Sequence, residues 1–332
     1  MTTMMQSLVM VPAPEGGYFK MMDSPCPVPG EDEVLVQVSA VALNRGELVM
    51  LERMRTGVPV IGGIEFAGTV VKSPADCQWK PGDRVVGHGR SAYAEFVCVH
   101  PSRLMHLPDA LTFAEGAAVP NVFMTAHDAL VTNGCMLAGE SVLVNAGSSG
   151  IGTAATQIAA WLGADQIIAT SRTSEKWERI KHLGATHLLA TADGNIAQRV
   201  KGITKGRGVD IVIDCLGGPG LQEHLNSMAL CGRLINVGRL VGPEALIDLD
   251  YLALHRLRVI GVTFRTRTEA ETQACFHAFA NDLFPGFESG ALRPVVDSVF
   301  GFDEFGLAFE RLRGGDHVGK ISMTFDDTRI HP

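Results

Sequence analysis

The run Ser141-Val142-Leu143-Val144-Asn145-Ala146-Gly147-Ser148-Ser149-Gly150-Ile151-Gly152 constrains the fold more than any other part of this chain. A five-residue strand, Ser141 to Asn145, passes without a spacer into a loop of small residues. A helix follows at once over Ile151 to Leu162, with Ala155, Ile158, Ala159 and Leu162 at helical spacing. Small residues allow a tight turn and a close backbone approach to a pyrophosphate, whose charge is met by the N–H groups that open a helix. Ser149 replaces the middle glycine of the G-x-G-x-x-G pattern, so the strand-to-helix setting carries the inference. Gly147, Ser149, Gly150, Ile151 and Gly152 are the expected phosphate cradle.

The text around this loop alternates strands with helix-length segments. Strands are expected at Ser141 to Asn145, Gln166 to Thr170, His187 to Leu189, Val209 to Asp214, Arg233 to Val237 and Val259 to Val262. Six such strands make one doubly wound parallel sheet of the Rossmann kind, placed at residues 121–267. Before it, from Leu8 to about Val119, short alternating runs separated by Val28-Pro29-Gly30-Glu31-Asp32 and Lys80-Pro81-Gly82-Asp83 read as an all-β barrel or sandwich. After it come a helix, a strand at Pro294 to Phe300, a further helix and Gly319 to Met323. The chain is expected to return and complete the first domain, giving 1–120 with 268–332 as one domain and 121–267 as the other.

The end of the second strand discriminates between cofactors. An NAD site carries an acid about 20 residues beyond the loop, on the ribose 2′-hydroxyl. Here Ser171 stands 19 residues after Gly152, followed by Arg172 and, past a candidate helix cap at Ser174, by Lys176. A cation in the first turn of a helix opposes the helix dipole by about 0.3–1 kcal/mol unless an anion lies in front of it. The 2′-phosphate of NADP(H) fits Ser171, Arg172 and Lys176.

Composition narrows the class. With 332 residues, two domains are expected. The net charge of −8 and the lack of any basic run argue against nucleic acid. No apolar run reaches the roughly 18 residues of a membrane span, and the N-terminus lacks the basic start of a signal peptide, so a cytoplasmic protein is expected. Seven singly scattered cysteines read as reduced thiols, without the ligand density of structural zinc.

Six segments carry a resemblance over nearly the whole chain: Ala42-Leu43-Asn44-Arg45, Gly63-Ile64-Glu65-Phe66-Ala67-Gly68, Lys80 to Val85, the glycine loop, Ile260 to Arg267, and His317-Val318-Gly319-Lys320-Ile321. The chain resembles the medium-chain dehydrogenase/reductases, in particular the zinc-independent quinone oxidoreductase branch and its p53-inducible quinone oxidoreductase type. The resemblance implies a GroES-like β-barrel domain beside the Rossmann domain, an active site in the cleft between them, and a homodimer. Zinc-dependent relatives have cysteine at the position of Asn44 and histidine at that of Ile64, and their four-cysteine lobe has no counterpart here. No metal is therefore expected.

The resemblance also implies residue roles. Asn44 is the expected catalytic polar group, near the nicotinamide ribose and the substrate. Thr125 lies beside the nicotinamide, Val262 and Phe264 meet its carboxamide, and Leu216, Gly217, Val237, Gly238 and Lys320 complete the cofactor set. Met54 stands where several relatives place a substrate-facing tyrosine, and Tyr93 is the alternative source of an aromatic hydroxyl or else a barrel-core residue. Without a Lewis acid, an acceptor that delocalises charge suits the chain best. The expected reaction is NADPH-dependent reduction of quinones or α,β-unsaturated carbonyls (enones). The alternatives are an enoyl-thioester reductase and a non-catalytic NADPH-binding sensor or structural protein.

Overall fold

A computed structural model describes residues 3–325. The chain divides into two compact units. The first comprises the residues up to Asn121, with Phe276–Phe284 and the residues from Pro294 onward; the second comprises Val122–Cys275 and Pro285–Arg293. The returning segment thus joins the first unit at Phe276, later than the expected 268, because helix Glu269–Glu288 contributes to both units. Among the described residues, no helix is long and apolar enough to cross a membrane. All seven cysteines are unpaired thiols.

The first unit is built on a seven-stranded sheet. Its strands run in the order Val296–Gly301, Lys320–Thr324, Val34–Ala42, Glu65–Lys72, Arg84–His88 and Leu104–His106, and Phe96–Val99 also pairs with Val34–Ala42. Along Val34–Ala42 every other residue is buried until Ala40, after which all are. That pattern sets Val34, Val36 and Val38 into a core with Leu8, Phe66, Tyr93, Phe309 and Ile321. Two registers matter for function. Strand Lys320–Thr324 runs antiparallel to Val34–Ala42 with Ser322 opposite Ala42, and Leu43 N–H donates to Ile321 C=O, so Lys320 arrives at Asn44. Phe66 pairs with Val41, which brings Glu65 to the same end. The alternating text did not disclose helix Arg45–Arg53, which starts directly after Asn44 and buries Glu47, Leu48 and Leu51.

The second unit holds six parallel strands in the order His187–Ala190, Gln166–Ser171, Ser141–Val144, Val209–Asp214, Met228–Asn236, Arg258–Gly261. This is the 3-2-1-4-5-6 order of a doubly wound dinucleotide domain. Strand Met228–Asn236 begins five residues before the expected Arg233. Met228 pairs with Val209, the chain slips through Cys231 at φ 63°, and regular pairing resumes at Arg233.

One local expectation is corrected. Ser174 does not cap an α-helix: it is the first residue of a 3₁₀ segment, Ser174–Arg179, with Thr173 at the cap position and no side-chain cap bond. A second short 3₁₀ turn, Lys181–Leu183, follows. Trp177 Nε1–H donates to Ser171 Oγ at 3.0 Å and folds this segment back on the strand end. The helix-dipole argument for Lys176 therefore lapses, whereas its position beside Arg172 after the strand stands.

Candidate active site and nucleotide loop

In the first unit, the meeting of three strand ends with helix Arg45–Arg53 produces a buried polar network. Lys320 Nζ lies 2.8 Å from Glu65 Oε1, and the two residues are 5% and 0% exposed. Lys320 also donates to Asn44 Oδ1 at 2.7 Å and to the Leu43 carbonyl, which uses all three ammonium protons. Asn44 Nδ2 donates to Glu65 Oε1 at 2.9 Å and faces the Ala42 carbonyl at 3.4 Å. Asn121, in the first turn of helix Pro120–His127, donates through its backbone N–H to Glu65 Oε2 at 2.8 Å and through Nδ2 to Asn44 Oδ1 at 2.7 Å. The carboxamide expected to face the substrate is thus committed on both ends, and Asn44 is 8% exposed.

A second carboxylate backs this network. Glu47 Oε2 accepts the Asn44 backbone N–H at 2.9 Å and the Tyr93 hydroxyl at 2.5 Å, while its buried Oε1 has no partner. Burial pushes the Glu47 carboxyl up to about 7, against the pull of the Tyr93 and Asn44 hydrogen bonds. Burial, and then the Glu47 charge, raise the Tyr93 phenol above its ordinary value. Tyr93 is fully buried, packed edge-on to Phe309 and against Gly62 and Gly63, which places it in the barrel core. Met54 closes helix Arg45–Arg53 and is partly exposed.

The shift at Glu47 has a sign that can be checked. Its proton is held more tightly in the folded chain, so stability is present at low pH and is lost as pH rises from 4.5 toward about 7. Glu47→Gln keeps an acceptor for Asn44 and Tyr93 but cannot ionise. The variant is expected to be about 1–3 kcal/mol more stable than the parent at alkaline pH, with a flatter pH profile in denaturant unfolding. Equal stability of the two proteins above neutrality would refute this.

In the second unit, the glycine loop leaves the end of strand Ser141–Val144 and turns through Ala146 at φ 51°. Ser149 caps helix Gly150–Trp161, its Oγ accepting the Gly152 N–H at 3.1 Å. The Gly150 and Ile151 amides remain as donors of the first turn, free for an anion. The loop has no room for side chains. A Cβ on Gly152 would lie 2.2 Å from the Ala146 carbonyl oxygen, and one on Gly147 would lie 2.8 Å from Ala169 Cβ. Such a backbone-lined cradle fits a pyrophosphate.

Three polar residues that the sequence reading passed over lock the neighbouring strand ends. Asn145 Nδ2 donates to Asp214 Oδ1 at 2.5 Å, and Asn145 Oδ1 accepts the Cys215 N–H at 2.7 Å. Asp214 Oδ1 also takes the Leu216 and Gly217 amides, each at 3.1 Å, and Oδ2 takes Asn236 Nδ2 at 2.7 Å. Val237 and Gly238 N–H groups donate to the Asp214 carbonyl. Four expected cofactor residues, Leu216, Gly217, Val237 and Gly238, are thereby gathered around one buried aspartate. Burial holds the nearby His224 below its ordinary value, although Asp214 pulls it upward.

The remaining expected residues are placed as follows. Ser171 is buried, and its hydroxyl donates to the Thr173 carbonyl at 2.5 Å while accepting from Trp177. Arg172 is exposed and Lys176 partly so. Thr125 is 7% exposed on its helix. Val262 is buried, with its N–H on the Asn236 carbonyl, and the Phe264 ring carries the Arg267 guanidinium at 4.4 Å. Arg267 is in turn bound to Asp128 at 2.7 Å, which anchors the stretch after the last strand. Among the described residues, no group of three or more His, Cys, Asp or Glu is placed to hold a metal ion.

Comparison with known proteins agrees with this architecture. Residues 30–109 match the alcohol dehydrogenase GroES-like domain family, and residues 150–281 match the zinc-binding dehydrogenase family. The chain is 31% identical over 309 residues to the quinone oxidoreductase of Homo sapiens, covering 91% of this chain and 92% of that protein. It is 27% identical over 318 residues to a highly reducing polyketide synthase of Emericella nidulans, covering 93% of this chain but only 12% of the synthase. A mycobacterial protein solved in complex with NADPH superposes with a TM-score of 0.85 at 28% identity, covering 96% of this chain and 99% of that one. The chain therefore belongs to the medium-chain dehydrogenase/reductase family, in its quinone oxidoreductase branch.

Proposed function

We propose that this oxidoreductase reduces quinones or α,β-unsaturated carbonyls with NADPH and without a metal ion, as a cytoplasmic homodimer. The observation that carries the reading is Lys320. Its ammonium fills the anionic centre formed by Glu65, and its three protons are held by Glu65, Asn44 and the Leu43 carbonyl. A fixed cation in that place leaves the carboxylate no capacity for a metal, and the positions of Asn44 and Ile64 supply neither thiolate nor imidazole. Without a Lewis acid, a localised alkoxide would be poorly stabilised, whereas a quinone or enone spreads the arriving charge over a conjugated system.

NADPH, when bound, supplies the hydride. The glycine loop holds its pyrophosphate, with the Gly150 and Ile151 amides as donors, and Arg172 with Lys176 faces the 2′-phosphate. Leu216, Gly217, Val237, Gly238, Val262 and Phe264 line the rest of the cofactor, in the stretches after strand ends where open parallel sheets bind ligands, together with Thr125 of helix Pro120–His127. The NADPH complex of the mycobacterial neighbour supports a nicotinamide cofactor of this kind. The match to a segment of a highly reducing polyketide synthase supports including an enoyl thioester among the acceptors tested.

NADPH oxidation measured with 1,2-naphthoquinone, an alkyl enone and a crotonyl thioester tests the reading. Turnover of the first two, undiminished by a chelator, is the expected result. Tight NADPH binding without turnover of any acceptor would replace the enzyme by a sensor or structural protein. In the same assay, Arg172→Ala combined with Lys176→Ala is expected to raise KM for NADPH about tenfold to a hundredfold and to leave KM for NADH nearly unchanged. Equal effects on both cofactors would remove the 2′-phosphate assignment.

A further inference from the structure

The polar network around Lys320 has a chemically forced direction. An ammonium can only donate, so the Asn44 atom facing Lys320 is its carbonyl oxygen. A carboxylate can only accept, so the Asn44 atom facing Glu65 is its nitrogen. The Asn121 atom 2.7 Å from that Asn44 oxygen must then be Nδ2. One N–H of the Asn121 amide is directed at Asn44, and its second N–H and its Oδ1 have no hydrogen-bond partner among the described residues. Asn121 is partly exposed, whereas Asn44, Glu47, Glu65, Tyr93 and Lys320 are all buried. Donor capacity and access coincide in this network at Asn121.

We infer that the Asn121 carboxamide, held in place by Asn44 and Glu65, is the group that hydrogen-bonds the carbonyl oxygen of the acceptor. The inference rests on the proposed reductase activity and changes the part assigned to Asn44, which becomes a positioning residue. Hydride addition at the acceptor carbon transfers two electrons, oxidises the reduced nicotinamide dinucleotide and leaves one negative charge on the acceptor oxygen. The unpartnered Asn121 N–H stabilises that oxyanion, a proton from solvent gives the enol, and a proton shift through solvent turns the enol into the saturated ketone or, from a quinone, the hydroquinone. Lys320 and Glu65 hold the donor rigidly, so little reorganisation accompanies charge development.

Asn121→Ala and Asn121→Thr both retain the backbone N–H bond to Glu65, and thermal unfolding establishes that each is folded. Asn121→Ala is expected to lower kcat/KM for the alkyl enone about 30-fold to 300-fold and to change the Kd for NADPH less than twofold. The loss with 1,2-naphthoquinone should be at least several-fold smaller, because the semi-aromatic anion needs less help; an equal loss with both acceptors would indicate a merely structural role and overturn the proposal. Calorimetric binding of 2-naphthol, a non-reducible hydroxyl probe, should weaken about tenfold in both variants. Unchanged binding would overturn the assignment even in a protein that turns over no acceptor. A parent without turnover sinks the reductase reading, whereas a parent with turnover and unimpaired variants sinks the role of Asn121.

Discussion

Lys320→Met is expected to destabilise the protein by about 3–5 kcal/mol, read as a lower denaturant midpoint at an unchanged slope. The ammonium is 5% exposed and Glu65 is fully buried, so water cannot replace the lost partner. Removing one member of a buried ion pair leaves the other uncompensated, and that remaining charge dominates the cost. Here the damage spreads, because the Leu43 carbonyl loses the Lys320 donor at the same time and Asn44 Oδ1 keeps only the bond from Asn121 Nδ2. Glu65→Gln in the Lys320→Met background removes the stranded charge and is expected to restore half or more of the loss. A double variant no more stable than Lys320→Met would show that the ion pair is not what holds these strand ends together. The same comparison bears on activity. If Lys320 and Glu65 serve to hold Asn44 and Asn121, the double variant should regain stability without regaining turnover.

The parts of this fold that were legible in the sequence are those whose cause is local. Strands covered on both faces of a parallel sheet become continuous apolar runs, and Val142-Leu143-Val144, Ile167-Ile168-Ala169 and Ile211-Val212-Ile213 are all buried. Most strand ends expected in the second unit lie within a residue or two of those observed. The start at Met228 was hidden because Cys231-Gly232 reads as a turn, and the short 3₁₀ segment after Ser171 because its shape depends on one side-chain bond from Trp177. The polar site was less legible for a different reason. Lys320 meets Asn44 across 276 residues and Asn145 meets Asp214 across 69, and no local pattern encodes such pairings. A weaker signal was present: Glu65, Asn145 and Asp214 each sit inside or at the end of an apolar run, where an uncompensated polar group would be costly. Each is fully buried and hydrogen-bonded. Asn121 carried no such mark, standing in an unremarkable first turn after Pro120.

Gly152→Ala is expected to weaken NADPH binding at least tenfold and to destabilise the fold by about 1–3 kcal/mol. The added Cβ would meet the Ala146 carbonyl oxygen at 2.2 Å, Gly147 Cα at 2.7 Å and the Ala146 carbonyl carbon at 2.9 Å. All three are backbone atoms, so no rotamer change relieves the overlap, and the turn itself must open. Its freedom to do so is small. Ala146 already occupies a left-handed conformation, and Gly147 is pressed against Ala169 on the neighbouring strand. Opening the turn also lengthens the 3.1 Å bond from Gly152 N–H to Ser149 Oγ, a cap worth about 1 kcal/mol. The donors that remain for the pyrophosphate, on Gly150 and Ile151, would move with it. Gly202→Ala provides the opposite case, since Gly202 is exposed in helix Ile196–Ile203 and an added Cβ meets nothing within 4 Å. That change should stabilise the chain by about 0.5–1 kcal/mol through helix propensity, with NADPH affinity unaltered. Fluorescence titration of NADPH and denaturant unfolding of both variants separate the two effects, and an unchanged NADPH Kd in Gly152→Ala would mean that the pyrophosphate does not rest on this loop.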